Sequence, residues 1–277
     1  RDVLGSRGLG DVYKRQVGMS SVEYPDLPSF EQTDRITLNA KILRDMIRQT
    51  VYAVSENTAK PIYTGSLYEI EDGVFKIIAI DGYRMAIRSE NVDSESKNRF
   101  VVPGKTQHEV LKLLTDDEEN TEIIIGQRHI TFKIKNYRII SRLIEGTFIE
   151  YKSAIPKETK TEVVINTRTI IDAVERMSLL NNDRIQSPVR CIFSDDEIKL
   201  SCTSAVGRAN DVISVPIIGE SVEIGFNNRY LLDALKNADT DEIKLILNGS
   251  LTAMIVKPVK GDSYLSIVVP MRLANEN

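Results

Sequence analysis

The chain has 277 residues, with 36 Lys or Arg against 40 Asp or Glu, two Cys, two His and no Trp. A hydrophobic content of 42% and a charged content of 27% indicate a folded globular protein with one large domain or two ordinary ones. This composition excludes a disulfide scaffold, a membrane span and a uniformly basic nucleic-acid coat, and the few Cys fit a cytoplasmic protein.

The first residues differ in character from the rest of the chain. Residues 1–16 have neither helical nor strand periodicity, and the run DVYKRQ at 11–16 resembles one reading frame of a transposase adapter. We interpret residues 1–16 as a non-native tail, with a natural flexible tail as the alternative. Residues 17–34 are interpreted as the end of a preceding domain and its linker, so we expect a truncated form.

Two copies of one pattern follow at 35–156 and 157–273, before a polar tail at 274–277. They open with RITLNAKILRDMIRQTVYAVS (35–55) and EVVINTRTIIDAVERMSLLN (162–181), each a β-branched run followed by Asn and a helical stretch. Asn39 and Asn166 stand where a helix N-cap is expected. The apolar helix stripes are residues 42, 43, 46, 47 and 51 in the first copy and 170, 171, 174 and 177 in the second.

The remaining elements recur in the same order, about 120–127 residues apart. Hairpins turn at 71–73 and 194–196, strand-to-helix units cover 99–114 and 222–238, and three closing strands end each copy. This order predicts an α+β fold of duplicated domains, each with two helices packed on an antiparallel sheet. The linker between the domains is expected near 156–160, where the residues are polar and include Pro.

The chain lacks the sequence motifs of common enzymes. There is no P-loop, GxSxG, HExxH or GxGxxG, and neither His108, in a helix, nor His129, in a turn, has a partner at a catalytic or metal-binding spacing. Asp81, in an Asp-Gly pair that ends a strand, is interpreted as a turn residue, and the acidic run at 116–119 as a solvated loop. The two Cys are expected to be buried free thiols. We therefore predict no catalysis, no metal and no cofactor.

The four predicted helices are basic although the whole chain is acidic. They contain nine bases against five acids, which favours a polyanion held against the helices; ordinary solvated helices are the alternative. The nine bases are Lys41, Arg44, Arg48, Lys105, Lys112, Arg168, Arg176, Arg229 and Lys236. Aromatic residues do not interleave with these bases, so stacking on single strands is not expected.

Five ordered blocks resemble the family of bacterial DNA polymerase sliding clamps, the β subunit of the replicative holoenzyme. The blocks are IDGYRMAI (80–87), RFVVPGKT (99–106), ISRLIEGTFIEY (140–151), VEIGFNNRYLLDAL (222–235) and VVPMRL (268–273). Family members have three copies of the repeat and form a head-to-tail dimeric ring around duplex DNA. The resemblance implies a non-catalytic processivity factor whose nine helix bases face DNA without reading its sequence. Because only the second and third copies are matched, we expect this chain alone not to close that ring.

The resemblance also implies a hydrophobic groove that binds short motifs of the polymerase, the clamp loader and repair proteins. Its residues, carried over by motif, are Tyr63, Ile80, Gly82, Tyr83, Arg84, Met85, Ile149, Ala154, Ile267, Val269, Pro270, Met271, Arg272 and Leu273. Tyr83 stands where the family often has His, and Met85 where it has Leu. Ile149 replaces a common Pro and Ser153 a common base, so we expect an apolar groove of altered shape.

Two other functions are alternatives to the clamp. An enzyme built on Asp81 and Arg84 would need a second acid or a metal, and neither is visible in the sequence. A β-rich scaffold or interaction protein would not bind nucleic acid at all. Salt-dependent retention on DNA distinguishes the clamp from such a scaffold.

Overall fold

The computed structural model describes residues 32–115, 119–180 and 187–273. Several predicted segments lie outside the described residues: the tail at 1–16, residues 17–31 of the segment assigned to a preceding domain, residues 116–118 of the acidic run, and the tail at 274–277. Among the described residues, no helix is long and apolar enough to cross a membrane.

Each copy of the repeat contains two helices and a series of antiparallel strands, so the predicted α+β fold of duplicated domains is confirmed. The first copy contains β1 (Gln32–Asn39), α1 (Ala40–Val51), β2 (Gly65–Glu71), β3 (Val74–Ile80), β4 (Arg84–Asn91), β5 (Asn98–Pro103), α2 (Gly104–Leu113), β6 (Asn120–Gly126), β7 (His129–Ile134) and β8 (Tyr137–Arg142). The second copy contains β9 (Thr161–Asn166), α3 (Thr167–Ser178), β10 (Val189–Ser194), β11 (Glu197–Ser204), β12 (Gly207–Ser214), β13 (Ile217–Gly219), β14 (Val222–Phe226), α4 (Asn228–Lys236), β15 (Glu242–Leu247), β16 (Met254–Pro258) and β17 (Tyr264–Val268).

Asparagine side chains begin three of the four helices in the described part of the chain. Asn39 accepts a hydrogen bond from the Lys41 N–H (2.9 Å), and Asn166 accepts one from the Thr169 N–H (3.0 Å), which confirms both predicted caps. Asn227 caps α4 in the same way. These bonds satisfy N–H groups that the first turn of a helix leaves without a partner, and they define where each helix begins.

Removing one of these caps tests its contribution to stability. Asn166→Ala is expected to lower the free energy of unfolding by about 1 kcal/mol, because the first turn of α3 loses its side-chain acceptor. Urea unfolding followed by circular dichroism measures the loss. Asn210→Ala is the control, at an exposed strand position with no side-chain hydrogen bond to a described residue, and it should change stability by less than ~0.5 kcal/mol. Equal losses in the two variants would contradict the capping role.

The apolar stripes of α1 and α3 face two separate hydrophobic cores. All four predicted residues of α3 are buried in the core of the second copy, and four of the five predicted residues of α1 are buried in that of the first. Ile42 departs from the prediction, since it is 37% exposed. Each helical residue turns the chain by about 100°, which puts Ile42 beyond the edge of the stripe centred on Leu43 and Ile47.

Both predicted hairpins turn through two residues with left-handed backbone. Asp72 and Gly73 join β2 to β3 with φ of 52° and 74°, and Asp195 and Asp196 join β10 to β11 with φ of 53° and 55°. Positive φ at both positions matches the right-handed twist of hairpin strands, and Asp tolerates it better than most residues. These turns therefore set the registers of the two hairpins.

The described strands form three sheets, and the largest extends from one copy into the other. Its order is β13-β9-β15-β16-β17-β4-β3-β2-β5, and the smaller sheets have the orders β1-β6-β7-β8 and β12-β11-β10-β14. The two copies are joined by the antiparallel pair β17–β4. Helices α1, α2 and α3 each contact the nine-stranded sheet and a smaller one. These three helices thus each pack against two sheets, whereas the sequence predicted a single sheet for each copy.

Both cysteines are buried thiols that do not form a disulfide, as predicted. Burial raises the pKa of the Cys191 thiol to about 12, so this thiol is protonated and unreactive at neutral pH. His108 is exposed on α2, and His129 begins β7, although the sequence placed it in a turn. Among the described residues, no group of three or more His, Cys, Asp or Glu side chains could hold a metal ion.

Candidate functional site

The predicted groove residues gather where the two copies meet, but not all of them reach the surface. Met85 and Ile267 lie opposite each other on β4 and β17, and each is only 3% exposed. They pack in one buried cluster with Ile78 and Ile255. These two side chains therefore belong to the core below the junction and do not form the wall of an open groove.

The turn before β4 is organised by Asp81. Its carboxylate accepts hydrogen bonds from the backbone N–H groups of Tyr83 (2.8 Å) and Arg84 (3.0 Å) and from Arg84 Nε (2.9 Å). Gly82 has a φ of 96°, in the left-handed region that favours glycine. Asp81 is therefore a turn residue, and its engaged carboxylate leaves the enzyme alternative without a free catalytic acid at this position.

Arg84 connects this turn to the second copy. Its side chain is 7% exposed and forms ion pairs with Asp81 and with Asp233 of α4. The guanidinium carbon lies 4.5 Å from the ring centre of Tyr230 and 5.5 Å from that of Tyr52, within the range of cation–π attraction. Arg84, which the sequence placed in the groove, is thus largely enclosed and holds the turn in position.

A network of hydroxyl groups joins α1 to β17 at the same junction. The Tyr52 hydroxyl lies 3.0 Å from the Tyr264 hydroxyl and 2.8 Å from Ser266 Oγ, and Ser266 Oγ donates to the Met85 carbonyl (3.2 Å). Burial raises the pKa of Tyr52 to about 12 and raises the pKa of Tyr264 well above its ordinary value, so both hydroxyls stay protonated at neutral pH. Satisfied buried networks of this kind favour one fixed arrangement of the two copies.

A cleft of about 560 Å³ opens beside the Asp81 turn. Six predicted groove residues line it: Tyr63, Ile80, Gly82, Tyr83, Arg84 and Ile149. The Tyr83 ring is 61% exposed and stacks on Tyr230, with ring centres 5.8 Å apart and planes at 20°. The cleft therefore combines an aromatic wall, isoleucine side chains and charged groups.

The predicted C-terminal wall lies beside the cleft and against β14. The Val269 N–H donates to the Tyr83 carbonyl (2.8 Å), and the Met271 N–H donates to the Gly225 carbonyl (2.8 Å). Leu273 packs over Gly225, where a Cβ atom would lie 2.6 Å from Leu273 Cδ2. Val269 and Met271 are 41% and 36% exposed, so this segment adds apolar surface next to the cleft.

The other predicted groove residues lie farther along the same segments. Ala154 is exposed in the segment between β8 and β9, Arg272 is exposed, and Pro270 is half-buried in the C-terminal segment. Tyr63, which also lines the cleft, packs edge-on against Phe148 of the same β8–β9 segment, with ring centres 5.7 Å apart. The fourteen predicted residues thus divide into cleft lining, neighbouring surface and buried core.

Two residues at the start of α4 line the cleft although the sequence did not assign them to it. Tyr230 lies within a motif of the resemblance, but its place depends on α4 facing the Asp81 turn, which local patterns do not reveal. Arg229 is one of the predicted DNA-facing bases, yet it lines the cleft with Nη2 3.8 Å from Glu56 Oε1. One sequence feature could have indicated this position for Arg229 and Tyr230. Both residues lie in the first turn of α4, which directly follows the core strand β14.

Most of the predicted DNA-facing bases take part in ion pairs. Lys41 and Lys105 are exposed and form no ion pair with any described residue. Six others pair as Arg48–Asp239, Lys112–Glu109, Arg168–Asp172, Arg176–Asp211, Arg229–Glu56 and Lys236–Glu175. Exposed pairs contribute little to stability, but each acid reduces the positive potential of the helices. The helix surface is therefore less basic than the count of bases indicates.

The sequence matches two family profiles over most of its length. Residues 37–150 match the DNA polymerase III beta subunit, central domain, and residues 152–272 match the C-terminal domain of the same subunit. The beta sliding clamps of Halalkalibacterium halodurans and Bacillus subtilis are 33% and 32% identical to this chain over 262 and 260 residues. Each of these alignments covers 92% of this chain and 69% of the relative.

Crystal structures of sliding clamps have the same fold. The DNA polymerase sliding clamp from Bacillus subtilis matches with a TM-score of 0.89 at 31% identity, covering 92% of this chain and 69% of that one. The DNA polymerase III subunit beta from Pseudomonas aeruginosa matches with a TM-score of 0.88 at 26% identity, covering 92% and 70%. These matches do not favour a scaffold unrelated to nucleic acid. The chain belongs to the DNA polymerase III beta subunit family, and its function is that of a sliding clamp, a non-catalytic processivity factor of the polymerase.

Proposed function

We propose that this chain contributes to a ring that encircles duplex DNA and that it binds short segments of the replicative polymerase, the clamp loader and repair proteins. The cleft between the copies is the observation that supports segment binding, because it combines an aromatic wall with apolar surface at a fixed junction. In this proposal residues 35–156 form the middle clamp domain and residues 157–273 the C-terminal one. Residues 32–34, which the sequence assigned to the preceding segment, pair with β6 as the start of β1 and therefore belong to the middle domain. The ring is the head-to-tail homodimer that the family resemblance implies for chains with all three copies of the repeat, and it acts in the cytoplasm.

Apolar side chains of the partner segment drive binding in the cleft. Ile80 and Ile149 offer aliphatic surface, the stacked rings of Tyr83 and Tyr230 offer a flat wall, and the exposed C-terminal segment extends this surface on one side. Burying a Leu or Phe contributes roughly 1.5–3 kcal/mol, so a few such anchors are sufficient for about micromolar affinity after the cost of association. Contacts of this strength exchange readily, which allows one clamp to serve several partners.

The Tyr83 ring provides a direct test of this site. Tyr83→Ala removes an exposed ring that lies outside the core, and it is expected to weaken binding of a labelled peptide with two Leu and one Phe by about tenfold. Fluorescence anisotropy measures the dissociation constant. Tyr137→Ala removes a ring of similar exposure (59%) on β8 and should leave the affinity unchanged within about twofold. If Tyr83→Ala bound the peptide as tightly as the parent, the site would lie elsewhere.

The helix bases are proposed to attract DNA by charge alone, without base readout. Lys41 and Lys105 are the informative positions, since both are exposed and neither is paired with an acid among the described residues. The double variant Lys41→Ala/Lys105→Ala is expected to weaken binding to every duplex and to reduce the slope of log K against log salt by about 1.8, because each phosphate contact contributes about 0.9. Anisotropy with two duplexes of unrelated sequence, over a range of NaCl concentrations, measures both effects.

A matched control distinguishes a local contact from a change in net charge. Lys260 is exposed in the turn between β16 and β17 and forms no ion pair with a described residue. Lys260→Ala should leave the salt slope unchanged. A loss confined to one of the two duplexes, or an equal loss in Lys260→Ala, would count against DNA binding by the helix surface.

A further inference from the structure

A second cavity, of about 410 Å³, is lined by a different set of residues from the cleft. Its lining comes from β2, β5, the turn between β6 and β7, and the segment between β8 and β9. Three buried and three half-buried apolar side chains line it: Leu67, Val101, Phe148, Phe100, Leu143 and Ile144. This volume and lining are in the range of ligand pockets, which are mostly apolar with a few polar groups.

The exposed rim of this cavity is basic. Its polar residues are Arg99, Gln127, Arg128, Glu145 and Thr147. Glu145 forms an ion pair with Arg142 at 3.4 Å, which offsets the charge of this carboxylate. Arg128 is exposed and forms no ion pair with any described residue. The rim therefore has an excess of positive charge around an apolar interior.

The Arg99 guanidinium also retains donors for a ligand. Its Nε lies 4.0 Å from Glu69 Oε2 and its Nη1 lies 3.8 Å from Glu150 Oε2, and both distances exceed that of a hydrogen bond. Glu69 instead accepts a hydrogen bond from the Tyr151 hydroxyl (3.2 Å). Arg99 and Arg128 thus present two planar guanidinium groups, which bind carboxylates through charge-assisted hydrogen bonds.

We propose that this cavity is a second docking site for protein partners, and that its occupant is a short acidic segment with one Phe or Leu anchor. The anchor fills the apolar interior, and the acids beside it pair with Arg99 and Arg128 at the rim. The site is separate from the cleft, so this inference goes beyond the proposed peptide-binding function and does not depend on it.

The cavity and the cleft share one structural element. Phe148 lines the cavity and packs against Tyr63, which lines the cleft, and the next residue, Ile149, lines the cleft as well. A partner with two suitable segments can therefore occupy both sites at once. Linked binding of this kind raises the affinity above that of either segment alone, because the second contact becomes intramolecular.

A nucleic-acid backbone is the other ligand that two arginines could hold. The acidic peptide fits the cavity better, because an apolar side chain fills the interior and a sugar-phosphate backbone does not. Glu145 at the rim also repels a row of phosphates, whereas two carboxylates can approach the arginines from the other side. The lining moreover comes from strands and loops, away from the helices that are proposed to attract DNA.

Three labelled peptides test the proposal, with fluorescence anisotropy at low salt as the readout. One has Asp residues on both sides of a single Phe, the second has Asn in place of Asp, and the third has Ala in place of Phe. The intact chain is expected to bind the Asp–Phe peptide about threefold to tenfold more tightly than either of the others. Arg128→Gln should weaken the Asp–Phe peptide alone and reduce its preference over the Asn peptide to less than about twofold.

Two control variants distinguish this cavity from net charge and from the cleft. Arg138 is an exposed arginine on β8 that forms no ion pair with a described residue, and Arg138→Gln should leave the preference intact. Tyr83→Ala, which alters the cleft, should bind the Asp–Phe peptide as the parent does, within about twofold. A photoreactive benzoylphenylalanine in place of the Phe locates the peptide directly, and its crosslinks are expected within 99–101, 127–128 and 143–148.

Several results would overturn the proposal while leaving binding in the cleft untouched. They are equal binding of the Asp and Asn peptides, an equal loss in Arg138→Gln, and binding of none of the three peptides. Crosslinks within 80–84 or 229–230, or a loss of the Asp–Phe peptide in Tyr83→Ala, would assign this peptide to the cleft. Tighter binding of the oligonucleotide dT15 with a dependence on Arg128 would favour nucleic acid as the occupant. Self-association in sedimentation that Arg128→Gln abolishes would favour a second copy of this chain.

Discussion

Arg84→Ala is expected to lower the free energy of unfolding by about 3–5 kcal/mol, because removing one partner of a buried ion pair leaves charge without compensation. The Arg84 side chain is 7% exposed, and the two acids that it pairs with, Asp81 and Asp233, are 10% and 32% exposed. Without the guanidinium, both carboxylates remain close together in a partly buried site. The cation–π contacts with Tyr52 and Tyr230 are lost as well. The junction between the copies should therefore weaken as a unit.

Urea unfolding followed by circular dichroism measures this effect. Arg142→Ala removes an arginine whose ion pair with Glu145 is exposed on both sides, and it should lower stability by less than about 1 kcal/mol. Asp233→Asn keeps the side-chain shape and should cost less stability than Arg84→Ala, but it should also weaken peptide binding because it loosens the link between α4 and the Asp81 turn. If Arg84→Ala were as stable to urea as the parent chain, the ion pairs of Arg84 with Asp81 and Asp233 would have no structural role.

Met85→Asp is expected to destabilise the chain by more than about 4 kcal/mol, since it introduces an unpaired charge into a packed core. Met85 is 3% exposed and lies between Ile80 on β3 and Ile267 on β17. A residue on the floor of an open groove would lose only peptide binding on this change. The burial of Met85 predicts instead that the sheet joining the two copies comes apart.

Two matched variants accompany this test, with urea unfolding and peptide anisotropy as readouts. Met85→Leu conserves volume and apolar character and should lower stability by less than about 1.5 kcal/mol. Met271→Asp changes a methionine that is 36% exposed and should keep the stability of the parent within ~0.5 kcal/mol. A stably folded Met85→Asp variant that had lost only peptide binding would restore Met85 to the groove floor.

Local signals in the sequence by themselves determined the helices, their starts and the hairpins. Asn39 and Asn166 are recognisable as N-caps because a cap bonds only to residues two or three positions ahead. The hairpin at Asp72 and Gly73 is specified by two residues that accept positive φ. The recurrence of these signals along the chain then predicted the duplicated α+β domains. Each of these features depends on a few consecutive residues, so the order of amino acids is sufficient to reveal it.

Only the tertiary structure decided how the two copies join and which side chains the junction encloses. Ser266 donates a hydrogen bond to the carbonyl of Met85, although 181 positions separate the two residues in the sequence. The pairing of β17 with β4 brings them together, and no periodic pattern in the sequence indicates which strands pair. The same pairing buries Met85, and the packing of α4 beside it encloses Arg84 and brings Arg229 to the cleft. Burial and ion pairing between distant residues depend on the free energy of the complete packed structure. Motif position could therefore indicate where these residues lie along the chain, but not which of them face solvent, a ligand or the core.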